Sequence, residues 1–428
     1  MLGLTLALRL SQAGYQVTVL EAAKELGGLA SAWQVGDVTW DRYYHVTMLS
    51  DARLRALLRE LELESEIKWA ITKTNFFTGR AMYPLNNSID YMRLPALGLI
   101  DKLRLAATII YGSRITDGLQ LETLSAEEWL TKLSGRRAYQ NLWRPLLRSK
   151  LGNNYSKASA AFIWSVIRRF YAARRGGLKE EMFGYVPGGY GRILTALETR
   201  LKESGVEIKT GARVASIKRE HDAIQVNSGD HSFKFDKVIN TCAGPIVANT
   251  CIDLSDLERK QHNDITYQGI VCASLLLTRP LGGAYLTYIT DESLPFTTVI
   301  EMSSLVERSL LSEHHLVYLP KYLPVDDPLL TASDQEVETL FLDGLMRMFP
   351  DLSHDDIKAI RVTRTRYVVP LSTKHYSSNL PDMASSVPGL YIINSAQIVN
   401  ASLTVDDTVN LANRGAQYVI DREHEALV

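Results

Sequence analysis

The stretch that decides the fold is the first one, Met1 to Trp33, which reads MLGLTLALRLSQAGYQVTVLEAAKELGGLASAW. Leu4, Ala7, Leu8 and Leu10 recur at helical spacing with Leu6 beside them, so the stretch opens on a largely buried helix. Gly14 closes that helix in the manner of a C-terminal cap. Gln16 to Leu20 (QVTVL) is a β-branched strand, and Glu21 stands at its carboxyl end. Helix, glycine, strand and acid in this order are the back half of a dinucleotide-binding βαβ unit. In a whole unit G-x-G-x-x-G opens the helix. Gly3 occupies the place of the third glycine, and Met1 and Leu2 are the two variable residues before it. Glu21 then falls at roughly the twenty-residue offset where a carboxylate accepts both hydroxyls of an adenosine ribose. Two other readings compete. One is an ordinary helix–strand pair with an acid at its end. The other is a signal peptide with LGLTLAL as its apolar region, against which stand the lack of a basic leader, the interruption at Arg9 and the strand that follows at once. A unit lacking its first strand and two glycines predicts a natural reading frame that starts upstream of Met1.

At 428 residues the chain exceeds one hydrophobic core and predicts two domains. Apolar residues at 46% and charged residues at 22% are the proportions of an ordinary folded chain. A formal net charge of -1 gives no electrostatic basis for nucleic-acid binding. Cys242, Cys251 and Cys272 have neither C-x-x-C nor metal-ligand spacing, which predicts free buried thiols, a reducing compartment and no metal site. No run approaches about eighteen apolar residues, so nothing is expected to span a bilayer. The expected location is the cytoplasm, with attachment to a membrane surface as an option.

Downstream of Gly27-Gly28, Ala32 to Asp41 patterns as a hairpin with Gly36-Asp37 as its turn. Tyr43-Tyr44-His45 follows, either an aromatic core cluster with a satisfied histidine or a wall for a flat ring with a group able to handle a proton. Asp51 to Leu63 is helical, and Phe76 to Pro84 holds two short strands around Gly79-Arg80. Leu94 to Tyr171 is a run of helices. Within it Leu94 to Tyr111 is apolar enough to lie on a membrane surface, the alternative being a buried helix. Trp143 offers a flat wall and Lys150 a cation for an acidic substrate; the alternative is helix packing plus a solvated basic face of Arg144, Arg148 and Lys150. Arg168, Arg169, Arg174 and Arg175 form a second basic group whose default is also a solvated face. Pro187-Gly188-Gly189-Tyr190-Gly191 precedes a helix from Arg192 to Ser204, the strand Val206 to Lys209, and a hairpin region from Val214 to Thr241. Four strands, at 270–277, 284–289, 296–300 and 315–319, a helix at 333–349 and a strand at 360–369 come next. Pro388 to Ala396 is a buried strand, followed by a helix from about Thr408 to Ile420.

The run from Gly3 to Ser31 resembles the amino-terminal fingerprint of the flavin amine oxidoreductases, the superfamily of monoamine oxidases, protoporphyrinogen oxidases and phytoene desaturases. The resemblance implies FAD, with Gly3, Glu21, Gly27, Gly28, Ala30 and Ser31 in its binding segment. The family usually places Arg or Lys after the Gly-Gly pair, where this chain has Leu29. Asp41 and His45 match a segment that lies beside the flavin ring. The segment around Trp143 and Lys150 is similar to one near the substrate cavity of several relatives. The order beginning at Pro187 resembles the second flavin-binding segment, in which Val214 would read the adenine through its backbone. Tyr285 to Glu301 resembles a subgroup related to protoporphyrinogen oxidase, without the polar histidine run that follows there, since Met302-Ser303-Ser304 stands in its place. Tyr367, Pro370 and Tyr376 would face the flavin or the substrate. The usual Gly-Asp after the last strand is replaced by Asn394-Ser395, and the helix start near Asp407-Thr408 would aim its N–H groups at the flavin's pyrimidine carbonyls. No cysteine follows Cys272, so a C-terminal thioether is excluded and the FAD is expected to be noncovalent.

The expected architecture is α/β: a Rossmann-like FAD-binding domain, its first strand apparently missing, with an inserted α+β substrate domain. The FAD-binding domain is expected at 1–75, 185–253 and 385–428, and the substrate domain at 76–184 and 254–384. The expected activity is hydride transfer from a small or lipophilic organic substrate to FAD, with His45 and Tyr376 as catalytic candidates and Tyr44, Trp143, Lys150 and Tyr367 as substrate contacts. Two alternatives are a flavin isomerase of the UDP-galactopyranose mutase type, using the arginines at 168–175, and a non-catalytic relative.

Overall fold

The computed structural model describes residues 1–79, 81–86, 88–95, 97–174 and 182–427. The opening helix Leu2–Gln12 buries Leu4, Leu6, Ala7, Leu8 and Leu10, and Gly14 beyond it takes the left-handed φ of 89° that a C-terminal cap needs. Its apolar residues are divided between two clusters. Leu4 and Leu8 join Leu54, Leu57, Leu197 and Leu201, while Leu6 and Leu10 join Tyr391, Ile393, Leu411 and Ala416. One short helix thereby locks together segments from both ends and the middle of the chain.

Strand Thr18–Leu20 pairs in parallel with Glu207–Lys209, and Val238–Asn240 pairs in parallel with Leu390–Ile392. Among the described residues no strand bridges these two pairs. That is the place where the nucleotide sheet was expected to lack its middle. Hairpin strands Ala32–Val35 and Val38–Asp41 turn at Gly36, whose φ of 57° suits a tight hairpin turn. Met182–Tyr185 pairs with both Thr47–Met48 and Lys68–Ile71.

A seven-stranded sheet runs in the order Ile357–Pro370, Tyr267–Leu277, His315–Pro324, Thr298–Glu301, Leu286–Ile289, Thr74–Phe77, Met82–Pro84. Tyr267–Leu277 is buried at every residue because both faces of the sheet are covered. Val271, Ala273 and Leu275 pack under helix Asp334–Met348 through Val337, Phe341 and Leu345. Ile270, Cys272 and Leu276 face Trp40 and Tyr43 of the hairpin region. Beside the sheet lies a helical cluster built on Leu130, Trp143, Leu147, Phe162 and Trp164.

The closing helix is Val405–Leu427, longer at both ends than the sequence reading placed it. Its start is set by Thr404, which receives the N–H of Asp407 at 3.2 Å while Asp407 accepts the N–H of Thr404 at 2.9 Å. This reciprocal cap satisfies two backbone donors, so Thr408 lies within the first turn and not at the cap.

Candidate functional site

The nucleotide end of the site is made by backbone. Glu21 follows its strand with its N–H on the carbonyl of Lys209 at 2.9 Å, and its carboxylate accepts the N–H of Ala23 at 2.8 Å. Gly27 and Gly28 have φ of 115° and 57°. A Cβ on Gly27 would stand 2.4 Å from Leu194 Cδ1 and 3.1 Å from the Ser31 nitrogen, whereas one on Gly28 would meet nothing within 4 Å. Gly27 is thus a packing requirement, and Gly28 leaves its backbone open to a ligand. Ala30 is buried in the turn, and Ser31 donates its hydroxyl to the Gly28 carbonyl at 2.8 Å.

A cavity of about 380 Å³ opens against this turn, lined by Lys24, Glu25, Gly28, Ser31, Arg42 and Arg361 among others. The Arg42 and Arg361 guanidiniums lie over the Trp33 ring at 5.7 and 4.5 Å. Arg42 Nε and Trp33 Nε1 are buried without a protein partner. Three cations against one carboxylate, with a buried donor to spare, suit an anion such as a pyrophosphate. Sequence reading missed Arg42 and Arg361. Leu29 stands where a basic residue is expected after Gly-Gly, and Arg42, following the hairpin, brings a guanidinium to this cavity. Gly3, at the N-terminal turn of its helix, faces Thr241, whose Oγ1 would lie 3.5 Å from a Cβ there. Val214 pairs with Ser228, and a bulge separates it from Ser216.

Around the next segment, Asp41 clasps the hairpin to the helix Gly189–Glu203, accepting the N–H of Tyr190 at 2.7 Å. The approach is so close that a Cβ on Gly189 would lie 2.6 Å from Asp41 Oδ1, which explains the second glycine after Pro187. Burial pushes the Asp41 carboxyl up to about 8, against the pull of the Tyr190 and Gly191 amides. His45 Nδ1 lies 2.9 Å from the Tyr43 carbonyl, so that nitrogen carries the hydrogen and Nε2 keeps its lone pair. Burial holds the imidazole down to about 4, leaving it neutral, with its ring 4.8 Å from that of Tyr190. Tyr44 pairs its hydroxyl with that of Tyr322 at 3.0 Å, and Tyr43 reaches Thr365 at 2.7 Å.

Asn394 accepts the N–H of Ala396 at 3.0 Å, while its Nδ2 is buried with no protein partner. Ser395 stands between them in the same turn, and the buried hydroxyl of Tyr376 donates to the Ala396 carbonyl at 2.9 Å. Tyr376 thus braces the turn that presents Asn394. Tyr367 packs edge-on against Tyr267 at 5.4 Å. Lys150 is half-buried and donates to the Ser402 carbonyl at 3.2 Å, two residues before the capping Thr404. Burial and the Arg169 charge lower it to about 8, while Asp407 pulls the other way. Lys150 therefore does not share a solvated face with Arg144 and Arg148.

Trp143 lies apart from these groups. It is buried in the helical cluster and donates its Nε1 to Ser134 Oγ at 3.0 Å. Arg168 lies over Trp164 at 4.9 Å and Arg169 pairs with Asp51 at 3.3 Å. The side chain of Arg174 and all of Arg175 fall outside the described residues. A second cavity, of about 420 Å³, lies where the helix Arg144–Leu151 meets the large sheet, lined by Arg144, Arg148 and Lys321 together with Asp291, Glu292 and Asp327. Both arginines reach Glu292, Arg144 at 3.4 Å.

A split parallel nucleotide layer, a Gly-Gly turn on a cationic cavity and a large mixed sheet define the fold of the flavin-dependent amine oxidases. The chain belongs to the flavin containing amine oxidoreductase family, whose profile matches residues 2–420. Among solved structures it is similar to a candidate protoporphyrinogen oxidase from Exiguobacterium sp. 255-15, at 16% identity and a TM-score of 0.76, covering 97% of this chain and 96% of that one. It is also similar to wild-type putrescine oxidase bound to putrescine, at 15% identity and a TM-score of 0.73 over 98% and 97% of the two chains. A reduced UDP-galactopyranose mutase aligns at 16% identity and a TM-score of 0.74 over 98% and 93%. No curated protein matches the chain in sequence.

Proposed function

We propose that the chain binds FAD noncovalently and takes a hydride from a small or lipophilic organic substrate. The observation that carries the reading is the cationic cavity on the open Gly28 backbone, with Arg42 Nε as a buried donor that no protein group satisfies. Among the chain's own residues, Glu21 accepts ribose hydroxyls, Gly28, Ser31 and Arg42 hold the pyrophosphate, and Asn394 Nδ2 donates to the ring or its side chain. Tyr44 walls the substrate side, its hydroxyl fixed on Tyr322. His45, neutral and with a free Nε2 lone pair, accepts a hydrogen bond or a proton from a bound amine or alcohol. Lys150 places a half-buried ammonium at the start of the closing helix. FAD, when bound, supplies the two-electron acceptor that none of these side chains provides.

The test is the visible absorbance of the purified chain, with and without added FAD, and its release on denaturation. Flavin that leaves the unfolded chain supports noncovalent binding. A chain that neither retains nor takes up flavin favours a non-catalytic relative. A sugar-nucleotide isomerase is the second reading, supported by the likeness in fold to the reduced UDP-galactopyranose mutase; thermal protection by UDP-galactopyranose without oxidase turnover would select it.

A further inference from the structure

The helix Leu99–Arg114 turns the wrong face outward. Its buried side is narrow, consisting of Leu105, Thr108 and Gly112. At 3.6 residues per turn the opposite side collects Leu99, Ile100, Leu103, Ile110 and Tyr111. These residues are 65%, 74%, 63%, 44% and 53% exposed, against a general expectation that apolar side chains on a helix point to the core. Scattered exposed leucines need no explanation, but five large apolar side chains on one helix face form a contiguous patch.

Arg104 and Arg114 are exposed on this helix, and Lys132 and Arg136 are exposed on the adjoining helices. Among the described residues no carboxylate pairs with any of these four, whereas the neighbouring Arg137 does have an acid partner. The single acid of the helix, Asp101, is turned away: it accepts the Gly98 N–H at 3.1 Å and lies 3.6 Å from Arg137. The Arg104 guanidinium is held by the backbone carbonyls of Leu133 and Lys132, so its charge is not neutralised by an acid.

We propose that this face docks on the surface of an anionic lipid bilayer. The apolar side chains enter the headgroup boundary, and the arginines and lysine at the rim meet lipid phosphates. Charge complementarity decides the occupant. A second copy of the chain, meeting the face symmetrically, would set Arg104 and Arg114 against their own equivalents with no acid to pair them. Among the described residues no helix is long and apolar enough to cross a membrane, so the contact is a surface one. The docking does not depend on the flavin reading, since none of its residues lines the nucleotide cavity.

The experiment is co-sedimentation of the full chain with vesicles of phosphatidylcholine alone and of phosphatidylcholine mixed with phosphatidylglycerol, at low and high salt. The expected result is binding to the mixed vesicles that weakens with salt. The double variant Ile100→Ser/Leu103→Ser should lower the partition coefficient about tenfold or more. Arg104→Gln/Arg114→Gln should remove most of the preference for the anionic vesicles, and it keeps the question open to test if the first variant misfolds. No binding to either vesicle, binding that both variants leave intact, or a concentration-dependent dimer that Ile100→Ser/Leu103→Ser dissociates would overturn the proposal.

Discussion

The two cavities are close in size, about 380 Å³ beside the Gly-Gly turn and about 420 Å³ between helix Arg144–Leu151 and the large sheet. They differ in how their charge is held. The second is self-neutralised: Arg144 and Arg148 converge on Glu292, and Asp291, Asp327 and Lys321 share the wall. The first carries a cationic surplus, with two guanidiniums stacked on one indole and a buried Nε left over. A protein holds cations together without acids at a cost in repulsion and desolvation, which a bound anion removes. Similar volume therefore says little about function, and the charge balance says more.

The sharpest break of the comparison is Gly27→Val. The new side chain meets a left-handed backbone, the buried Leu194 and the Ser31 amide at once. Strain and overpacking together should cost on the order of 3 kcal/mol or more. The expected outcome is a lowered Tm and no retained flavin, read by thermal unfolding and visible absorbance.

Arg42→Gln tests the charge balance directly. Losing a charge-assisted contact to a phosphate should weaken FAD by roughly 2–3 kcal/mol, or about thirty- to a hundred-and-fifty-fold in Kd. Arg148→Gln, at the self-neutralised cavity, should leave FAD affinity unchanged. Equal effects from the two variants, measured by flavin titration, would dissolve the distinction between the cavities.

The residues legible in the sequence were those whose role is imposed by backbone. Gly27, Gly28 and Glu21 follow from what a turn and a strand end must do, and the hairpin at Gly36 was placed by its turn chemistry. Arg42 was not legible, because its use depends on where the hairpin lays it, beyond any local pattern. For Leu99–Arg114 the sequence left two readings, a membrane-surface helix and a buried one, because apolar residues at helical spacing look the same whether the stripe points in or out. Thr404 was a different miss. The T-x-x-D run at 404–407 is a capping signal, and reading it would have placed the helix start correctly.

His45, three residues beyond Arg42 of the first cavity, supplies a pH test. Burial lowers its folded pKa from 6.5 to about 4, so the folded imidazole stays neutral while the unfolded chain takes up a proton below 6.5. The unfolded state then binds more protons, and stability falls as pH drops from 6.5 towards 4, by on the order of 2–3 kcal/mol. His45→Gln should flatten that slope in denaturant titrations across this window. An unchanged slope would show that His45 is not held neutral by burial.

The smallest effect is expected on the other side of the comparison, at Trp143. Its Nε1 donates to Ser134 Oγ at 3.0 Å, Ser134 donates to Thr108 Oγ1 at 2.8 Å, and Thr108 donates to the Arg104 carbonyl at 2.8 Å. This relay ties the helical cluster to the helix that carries the exposed apolar face. Trp143→Phe keeps most of the ring's packing and removes one donor, while Ser134 still has Thr108 as an acceptor. The loss should be about 1 kcal/mol, a fall of a few degrees at most in Tm. Flavin absorbance and the KM of any substrate found should not move, because the indole reaches neither cavity in the structure. A KM raised severalfold with Tm unchanged would instead put Trp143 on the substrate, and would show that the helical cluster opens to ligand in a way its packing does not suggest.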